Sequence, residues 1–396
     1  MLIGIVGKPS TGKSSLFNAL THGHAAVANY PFTTIDPNKG VAFVRVKCAC
    51  TELGVKCKPR FGSCANGVRL VPVNVVDVAG LVEGAHEGRG KGNQFLNDLN
   101  AADALVCVAD AAGATDDGGN ACAPGTHDAA RDVRMVESEI DYWILGILKR
   151  NLAKAKGKRF DDFAALLSGI RVNRDLLKHC VDALGLSENT AEWKNEAQLL
   201  ELARALRKRT KPLVIAANKI DLSPAAAGVE KLKKEFSDYT VVPIAADAEL
   251  ALQRAREKNW IEYDSAAERP EIKIVAREQE LDERIETALR SIEEHVLRKW
   301  GSTGVQRLLE AVVFKTLGFI VVFPVEDEKH FADHFGNALP DAILLPKGST
   351  PLALAEAIHS DLAKHMLYAV NARNKMRLAH DYALQNGDVI KIVSAK

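Results

Sequence analysis

Apolar and polar positions along the chain change their rhythm several times. Leu2–Val6 is a short β-prone run that stops at turn chemistry, and SSLFNAL at 14–20 follows with helical spacing. Val73–Gly80 and Pro212–Asp221 each begin as a strand-length β-run and end in a polar turn. From about 128 to 206, strand alternation is missing. Ile140, Trp143, Ile144, Ile147 and Leu148 recur there at helix spacing and read as a core stripe rather than a binding face. Residues 266–317 also read as largely helical, punctuated by Gly301-Ser302-Thr303-Gly304. From Gly318 the rhythm changes again: FIVVFPV is a strand, AILLPKGSTP a strand and turn, and PLALAEAIHSDLAK a helix, with Asp388–Val393 closing as a strand. This β-β-α-β order fits a ubiquitin-like β-grasp fold.

Composition narrows the class. The 396 residues exceed one typical domain, and 47% hydrophobic with 26% charged residues leaves a sizeable core and excludes disorder as the main theme. The longest apolar stretch, Leu308 to Val325, is interrupted by Glu310 and Lys315, so no membrane span is expected. The apolar start is too short for a signal peptide. Seven cysteines without an export signal point to a reducing, cytoplasmic compartment and no disulfide framework. Net charge is +1 overall; residues 1–127, 128–206, 207–317 and 318–396 carry +1, 0, +1 and −1. No part is broadly basic, so DNA is not an expected partner. Any RNA contact must come from local patches such as Lys149, Arg150, Lys154, Lys156, Lys158 and Arg159, or Arg373, Lys375 and Arg377. Solvated surface explains both patches as well.

Candidate chemistry begins at the first turn. Gly7-Lys8-Pro9-Ser10-Thr11-Gly12-Lys13-Ser14, followed by Ser15, is G-x-x-x-x-G-K-S between a strand and a helix. Its N–H groups can form an anion nest, with Lys13 reaching the β- and γ-phosphates and Ser14 on Mg²⁺. Asp77-Val78-Ala79-Gly80 ends a β-run as D-x-x-G: Asp77 can hold Mg²⁺ through water, and the Gly80 N–H can sense the γ-phosphate. Asn218-Lys219-Ile220-Asp221 ends another as N-K-x-D. An Asp there accepts both N1–H and N2–H of guanine, whereas adenine would leave it partly unpaired. Between the first two motifs lies NYPFTTIDPN at 29–38, where Thr34, or alternatively Thr33, would close onto Mg²⁺ and the γ-phosphate. Pro243-Ile244-Ala245-Ala246-Asp247 is a weaker match, in which the Ala246 N–H could meet guanine O6 and Ala245 stands where Ser is usual.

Cys48, Cys50, Cys57 and Cys64 are spaced C-x-C, then six residues, C, six residues, C. Four thiolates could bind Zn²⁺ tetrahedrally, although the paired C-x-x-C knuckles of a ribbon are missing. Four reduced thiols beside a hairpin is the plainer alternative.

On these motifs, together with DVAGLVEGAHEGRGKGNQFL at 77–96, ESEIDYWILGIL at 137–148, GSTGVQ at 301–306 and the last 75 or so residues, the chain resembles an Obg-related GTPase of the YchF type, in the archaeal and eukaryotic branch that keeps N-K-x-D. The resemblance implies an α/β P-loop GTPase domain (1–127 and 207–300), a helical insert (128–206), a connecting helix (301–317) and a C-terminal TGS domain of β-grasp type (318–396). It implies GTP/GDP and Mg²⁺ as ligands, slow hydrolysis, and association with ribosomes or RNA in translation. Relatives with a broken N-K-x-D tend to prefer ATP. Ser10 stands where many relatives carry Asn, a K⁺ ligand in some K⁺-activated GTPases, which leaves K⁺ dependence open. Lys91 replaces a frequent Leu.

Many small GTPases orient water with a Gln just after D-x-x-G; this chain has Leu81. Catalysis must then draw on Lys13, Thr34 and Gly80 with backbone groups, a monovalent cation, a partner, or His86 or Arg89. For the last two, solvated loop positions are the ordinary expectation.

Overall fold

The computed structural model describes residues 1–21, 38–78, 80–87, 99–155, 159–265, 267, 269–276 and 281–395. Its contacts divide the described chain into two compact units. One comprises Met1–Ala19, Asn38–Gly40 and Val75–Leu308; the other comprises Leu20–Thr21, Val41–Asn74 and 309–395. Residues 41–74, expected with the N-terminal domain, therefore pack with the C-terminal part.

The first unit is built on strands β1 (Leu2–Val6), β5 (Ala104–Asp110), β6 (Leu213–Asn218) and β7 (Thr240–Pro243) and on the end, Val75–Asp77, of β4 (Val68–Asp77), in the order β4-β1-β5-β6-β7. β2 (Lys39–Lys47) neighbours β4, and the short β3 (Cys64–Ala65) pairs with the start of β4; from Val41 to Asn74 these residues belong to the second unit. β1, β5, β6 and β7 are parallel. Every residue of ALVCVAD and LVIAAN is buried, as expected of central parallel strands covered on both faces.

Helices Ala129–Lys154, Phe160–Leu166, Arg174–Ala183 and Glu196–Thr210 fill the 128–206 region. Asp128, Asn173 and Asn195 cap three of them by accepting backbone N–H groups. Their apolar faces, including the Ile140, Trp143, Ile144 and Leu148 stripe, join one core with Val6, Leu105 and Ile215 of the sheet, so the insert and the sheet share a single interior. The buried Arg207 donates to Asp141 at 2.6 Å and Glu137 at 2.8 Å, locking Glu196–Thr210 onto Ala129–Lys154. Beyond β7, Ile261–Glu262 (β8) pairs antiparallel with Lys273–Ile274 (β9), and of this small ribbon β9 falls inside the stretch read as helical.

The second unit carries β10 (Phe319–Val325), β11 (Ile343–Pro346), β12 (Met366–Asn371), β13 (Met376–Leu378) and β14 (Val389–Ser394), in the order β11-β10-β14-β12-β13. β10 and β14 are parallel and the other pairs antiparallel. Helix Pro351–Ile358 covers the sheet through Leu354 over Ile320, Val322, Ala369 and Ile390. This is the β-grasp arrangement that the strand and helix order predicts.

Candidate functional site

The turn after β1 depends on two glycines. At Gly7 (φ +146°) a Cβ would lie 2.6 Å from the Val108 carbonyl oxygen, and at Gly12 (φ +94°) 2.2 Å from Asn218 Nδ2. The bare Gly12 lets Asn218 Nδ2 donate to the Thr11 carbonyl at 2.8 Å. Asn218 Oδ1 accepts the Ala246 N–H at 3.1 Å. One amide therefore joins the first turn, its own strand end and the 245–246 turn. The Ala246 N–H expected at guanine O6 has this protein acceptor instead.

Helix Lys13–Thr21 opens with the reactive residues. Lys13 Nζ donates to the Lys8 carbonyl at 2.7 Å and sits 3.4 Å from where a Gly80 Cβ would be. Burial lowers the Lys13 pKa, against the pull of Asp77. Ser14 Oγ donates to Asp77 Oδ2 at 2.7 Å, while Asp77 Oδ1 is buried with no partner among the described residues. Burial raises the Asp77 pKa, opposed by the Ser14 bond and Lys13. A hydroxyl and an orphaned carboxylate oxygen are the oxygen donors that Mg²⁺ and its waters take, so the residues present fit the ion. Thr33 and Thr34 lie outside the described residues; Asn38, at the edge of that segment, accepts the Asp77 N–H at 2.8 Å.

Just past the end of β6, Lys219 adopts φ +66° and its Nζ pairs with Asp110 Oδ2 at 2.9 Å, and Asp221 is exposed. Trp300 Nε1 donates to the Ile220 carbonyl at 3.2 Å. The GSTG segment buttresses the 243–246 turn: the Ala245 N–H donates to the Thr303 carbonyl at 2.9 Å. A Cβ on Gly304 would fall 2.0 Å from the Pro243 carbonyl oxygen. Thr303 and Tyr263 both donate to the buried Glu249.

Residues 2–145 match the family described as 50S ribosome-binding GTPase. Residues 216–327 match the Obg-like GTPase YGR210-like, G4 motif-containing domain, and 335–394 the TGS domain. An uncharacterized GTP-binding protein of Methanocaldococcus jannaschii is 46% identical over 400 residues, covering 100% of this chain and 99% of the relative. The chain belongs to the Obg-like, YchF-type GTPases. The crystal structure of a GTP binding protein from Pyrococcus horikoshii superposes with a TM-score of 0.78 at 38% identity, covering 100% of both chains. The Schizosaccharomyces pombe YchF GTPase shares the fold, with a TM-score of 0.56 at 16% identity over 99% of this chain and 97% of that one.

In this Obg-like GTPase the loop after D-x-x-G is anchored rather than solvated. Leu81 is buried in the core, and its N–H donates to the Gly7 carbonyl at 3.0 Å. Glu139 accepts the Gly84 N–H at 2.7 Å, the His86 N–H at 2.9 Å and a contact from His86 Nδ1 at 2.8 Å. The His86 ring stacks on Tyr142 with centroids 4.9 Å apart. The expectation of a solvated His86 is corrected: a carboxylate fifty-three residues away holds it. Arg89 and Lys91 lie outside the described residues. A cavity of about 600 Å³ opens here, lined by Lys8, Glu83, His86, Asp132, Glu139 and Tyr142. Lys8, buried, pairs with Asp132 at 2.9 Å and donates to the Thr115 carbonyl at 2.8 Å.

Sequence reasoning missed Glu139, Asp132 and Asp110 as individual residues. The acid-rich ESEIDY segment, inside the long helix Ala129–Lys154, held part of the signal, because its acids face two directions, toward Arg207 and toward the 84–86 loop. In the second unit, Cys48, Cys50, Cys57 and Cys64 come together with all Sγ atoms within 4.8 Å of one another. Of the basic patches, Lys149 pairs with Glu196 at 2.7 Å, Arg373 with Glu52 at 2.8 Å, and Arg377 lies over Tyr368 at 4.3 Å. Lys156 and Lys158 lie outside the described residues. Among the described residues no helix is long and apolar enough to cross a membrane.

Proposed function

We propose that this chain binds GTP with Mg²⁺ and hydrolyses it to GDP and phosphate as a molecular switch. The observation that carries this reading is the meeting of Ser14 Oγ, the half-engaged Asp77 carboxylate, Lys13 and Gly80 at the end of β4. Residues Gly7 to Ser15 would wrap the phosphates, and Thr34 would close onto the γ-phosphate. Bound Mg²⁺ would neutralise charge between the β- and γ-oxygens, held by Ser14, Thr34 and, through water, Asp77. Lys13, now resting on the Lys8 carbonyl, would exchange that acceptor for phosphate oxygen. Asn218 and Lys219 brace the base site, Ala245 and Ala246 form its floor, and Asp221 would accept the guanine N1–H and N2–H.

Hydrolysis is slow in the isolated protein on this reading. Leu81 is in the core, and His86 is already committed to Glu139 and Tyr142, so neither orients water. A partner would supply the missing charge or order the loops. The match to a family described as ribosome-binding, the TGS domain and the exposed Lys375 support a ribosome or RNA as that partner.

Nucleotide binding and single-turnover hydrolysis test the reading together. GTP should bind more tightly than ATP, and Asp221→Asn should weaken GTP while improving xanthosine triphosphate. Turnover by the protein alone should stay well below about 10 s⁻¹. ATP affinity equal to that of GTP would favour an ATPase. Equal co-sedimentation with ribosomes in GDP and in a non-hydrolysable GTP analogue would favour a scaffold with vestigial hydrolysis.

A further inference from the structure

We propose that Cys48, Cys50, Cys57 and Cys64 form a structural Zn²⁺ site that staples the 48–65 segment. The Sγ atoms of Cys48 and Cys57 lie 3.9 Å apart and those of Cys50 and Cys64 3.8 Å apart. All four fall within 4.8 Å of one another. A tetrahedron with Zn–S bonds of about 2.3 Å has edges of about 3.8 Å. A disulfide would bring a pair to about 2.0 Å, and all four thiols are free. The spacing is thus that of ligands around one ion. Four cysteines fill the coordination sphere and leave no open position, which makes the site structural rather than catalytic.

A second observation points the same way. From Thr51 to Val68 no residue is buried. The segment holds one helical turn, Cys50–Leu53, and the two-residue strand β3, with no apolar core of its own. A stretch that cannot bury enough surface to offset its ordering entropy needs a cross-link. The cysteines supply it from well-spaced points: just after β2, at the helical turn, in the extended stretch, and in β3.

The staple has a mechanical consequence within the second unit. The Lys58 N–H donates to the Ala338 carbonyl at 2.9 Å and the Arg60 N–H to the Pro340 carbonyl at 2.8 Å. Buried Arg69 donates to the Leu339 and Pro340 carbonyls at 3.1 and 2.8 Å. The 58–60 strip, placed between Cys57 and Cys64, is thereby held as a docking edge for 338–340. Zinc would fix that edge by binding free energy that becomes folding free energy.

The test uses full-length protein purified without added metal. Elemental analysis should find one zinc per chain, released on titration with an organomercurial thiol reagent. Cys57→Ser and Cys64→Ser should lose the zinc, whereas Cys122→Ser, outside the cluster, should keep it. Hydrogen exchange should show the Lys58 and Arg60 amides losing protection when zinc is stripped by chelator, with Leu213–Asn218 unchanged. If the serine variants do not fold, Co²⁺ reconstitution of the native sequence should give a thiolate-to-cobalt charge-transfer band. A folded, zinc-free protein whose thiols react freely and whose Co²⁺ form lacks that band overturns the proposal. Iron in place of zinc overturns the choice of metal.

Discussion

Strands β4 and β5 flank β1, and both end in aspartate, yet the two carboxylates are treated in opposite ways. Asp110 is fully buried and accepts the Ala112 N–H at 3.2 Å, the Ala114 N–H at 3.1 Å, Thr115 Oγ1 at 2.8 Å and Lys219 Nζ at 2.9 Å. Asp77 has Ser14 on one oxygen and, among the described residues, no partner on the other. A saturated buried carboxylate is a strut: it ties the loop after β5 to Lys219 of N-K-x-D. An unsaturated one carries the desolvation cost of an unmet acceptor, about 1–3 kcal/mol, which a ligand can recover. The fold spends the first aspartate on rigidity and reserves the second for a ligand.

Replacing the strut should have the largest effect. Asp110→Asn leaves Lys219 without its carboxylate and turns an NH₂ group toward other donors. Breaking a buried pair of this kind costs about 3 kcal/mol. The urea midpoint should fall accordingly, and GTP affinity should fall with it because Lys219 and the neighbouring Asn218 lose their brace. Wild-type stability in this variant would break the distinction between the two strand ends.

The contrast also marks what could be read from the chain alone. The phosphate turn, D-x-x-G and N-K-x-D are contiguous motifs, so their chemistry is written in neighbouring residues. The β-grasp order was legible for the same reason: FIVVFPV and PLALAEAI each declare their element locally. Asp110 carries no such mark, because its four donors come from a loop and from a strand end more than a hundred residues away. Glu139 was hidden in a helical segment, since only the packed fold brings Gly84 and His86 to it. The packing of 41–74 with the C-terminal part was equally hidden. It rests on Arg69 reaching carbonyls 270 and 271 residues on, and an arginine in an alternating strand gives no sign of that.

Asp77→Asn should behave unlike the Asp110 variant. The amide oxygen can still accept from Ser14, and one buried charge is removed, so stability should stay within about 1 kcal/mol of wild type. Mg²⁺-dependent GTP affinity should nevertheless drop about tenfold or more, or at least 1.4 kcal/mol. EDTA should bring the wild-type protein down to the level of the variant and leave the variant unmoved. Loss of stability without loss of Mg²⁺ dependence would make Asp77 a second strut.

The smallest effect is a slope. Burial lifts the Asp77 carboxyl above its usual 3.8, against Ser14 and Lys13, so the folded state holds that proton more tightly than the unfolded chain does. Between the ordinary and the raised value, the folded protein therefore binds more protons than the unfolded one, and the contribution of this group to stability falls as pH rises. Below that window both states are protonated and above it both are ionised, so the contribution is flat on either side. Asp77→Asn removes the group, and the wild-type advantage over the variant should shrink as pH climbs through the window and then level off. Urea midpoints of the pair, measured at nucleotide-free equilibrium across the acid range, read this difference directly. A gap that widens with pH would mean that the Asp77 charge is stabilised in the folded protein, as a strut's would be, and would erase the contrast with Asp110.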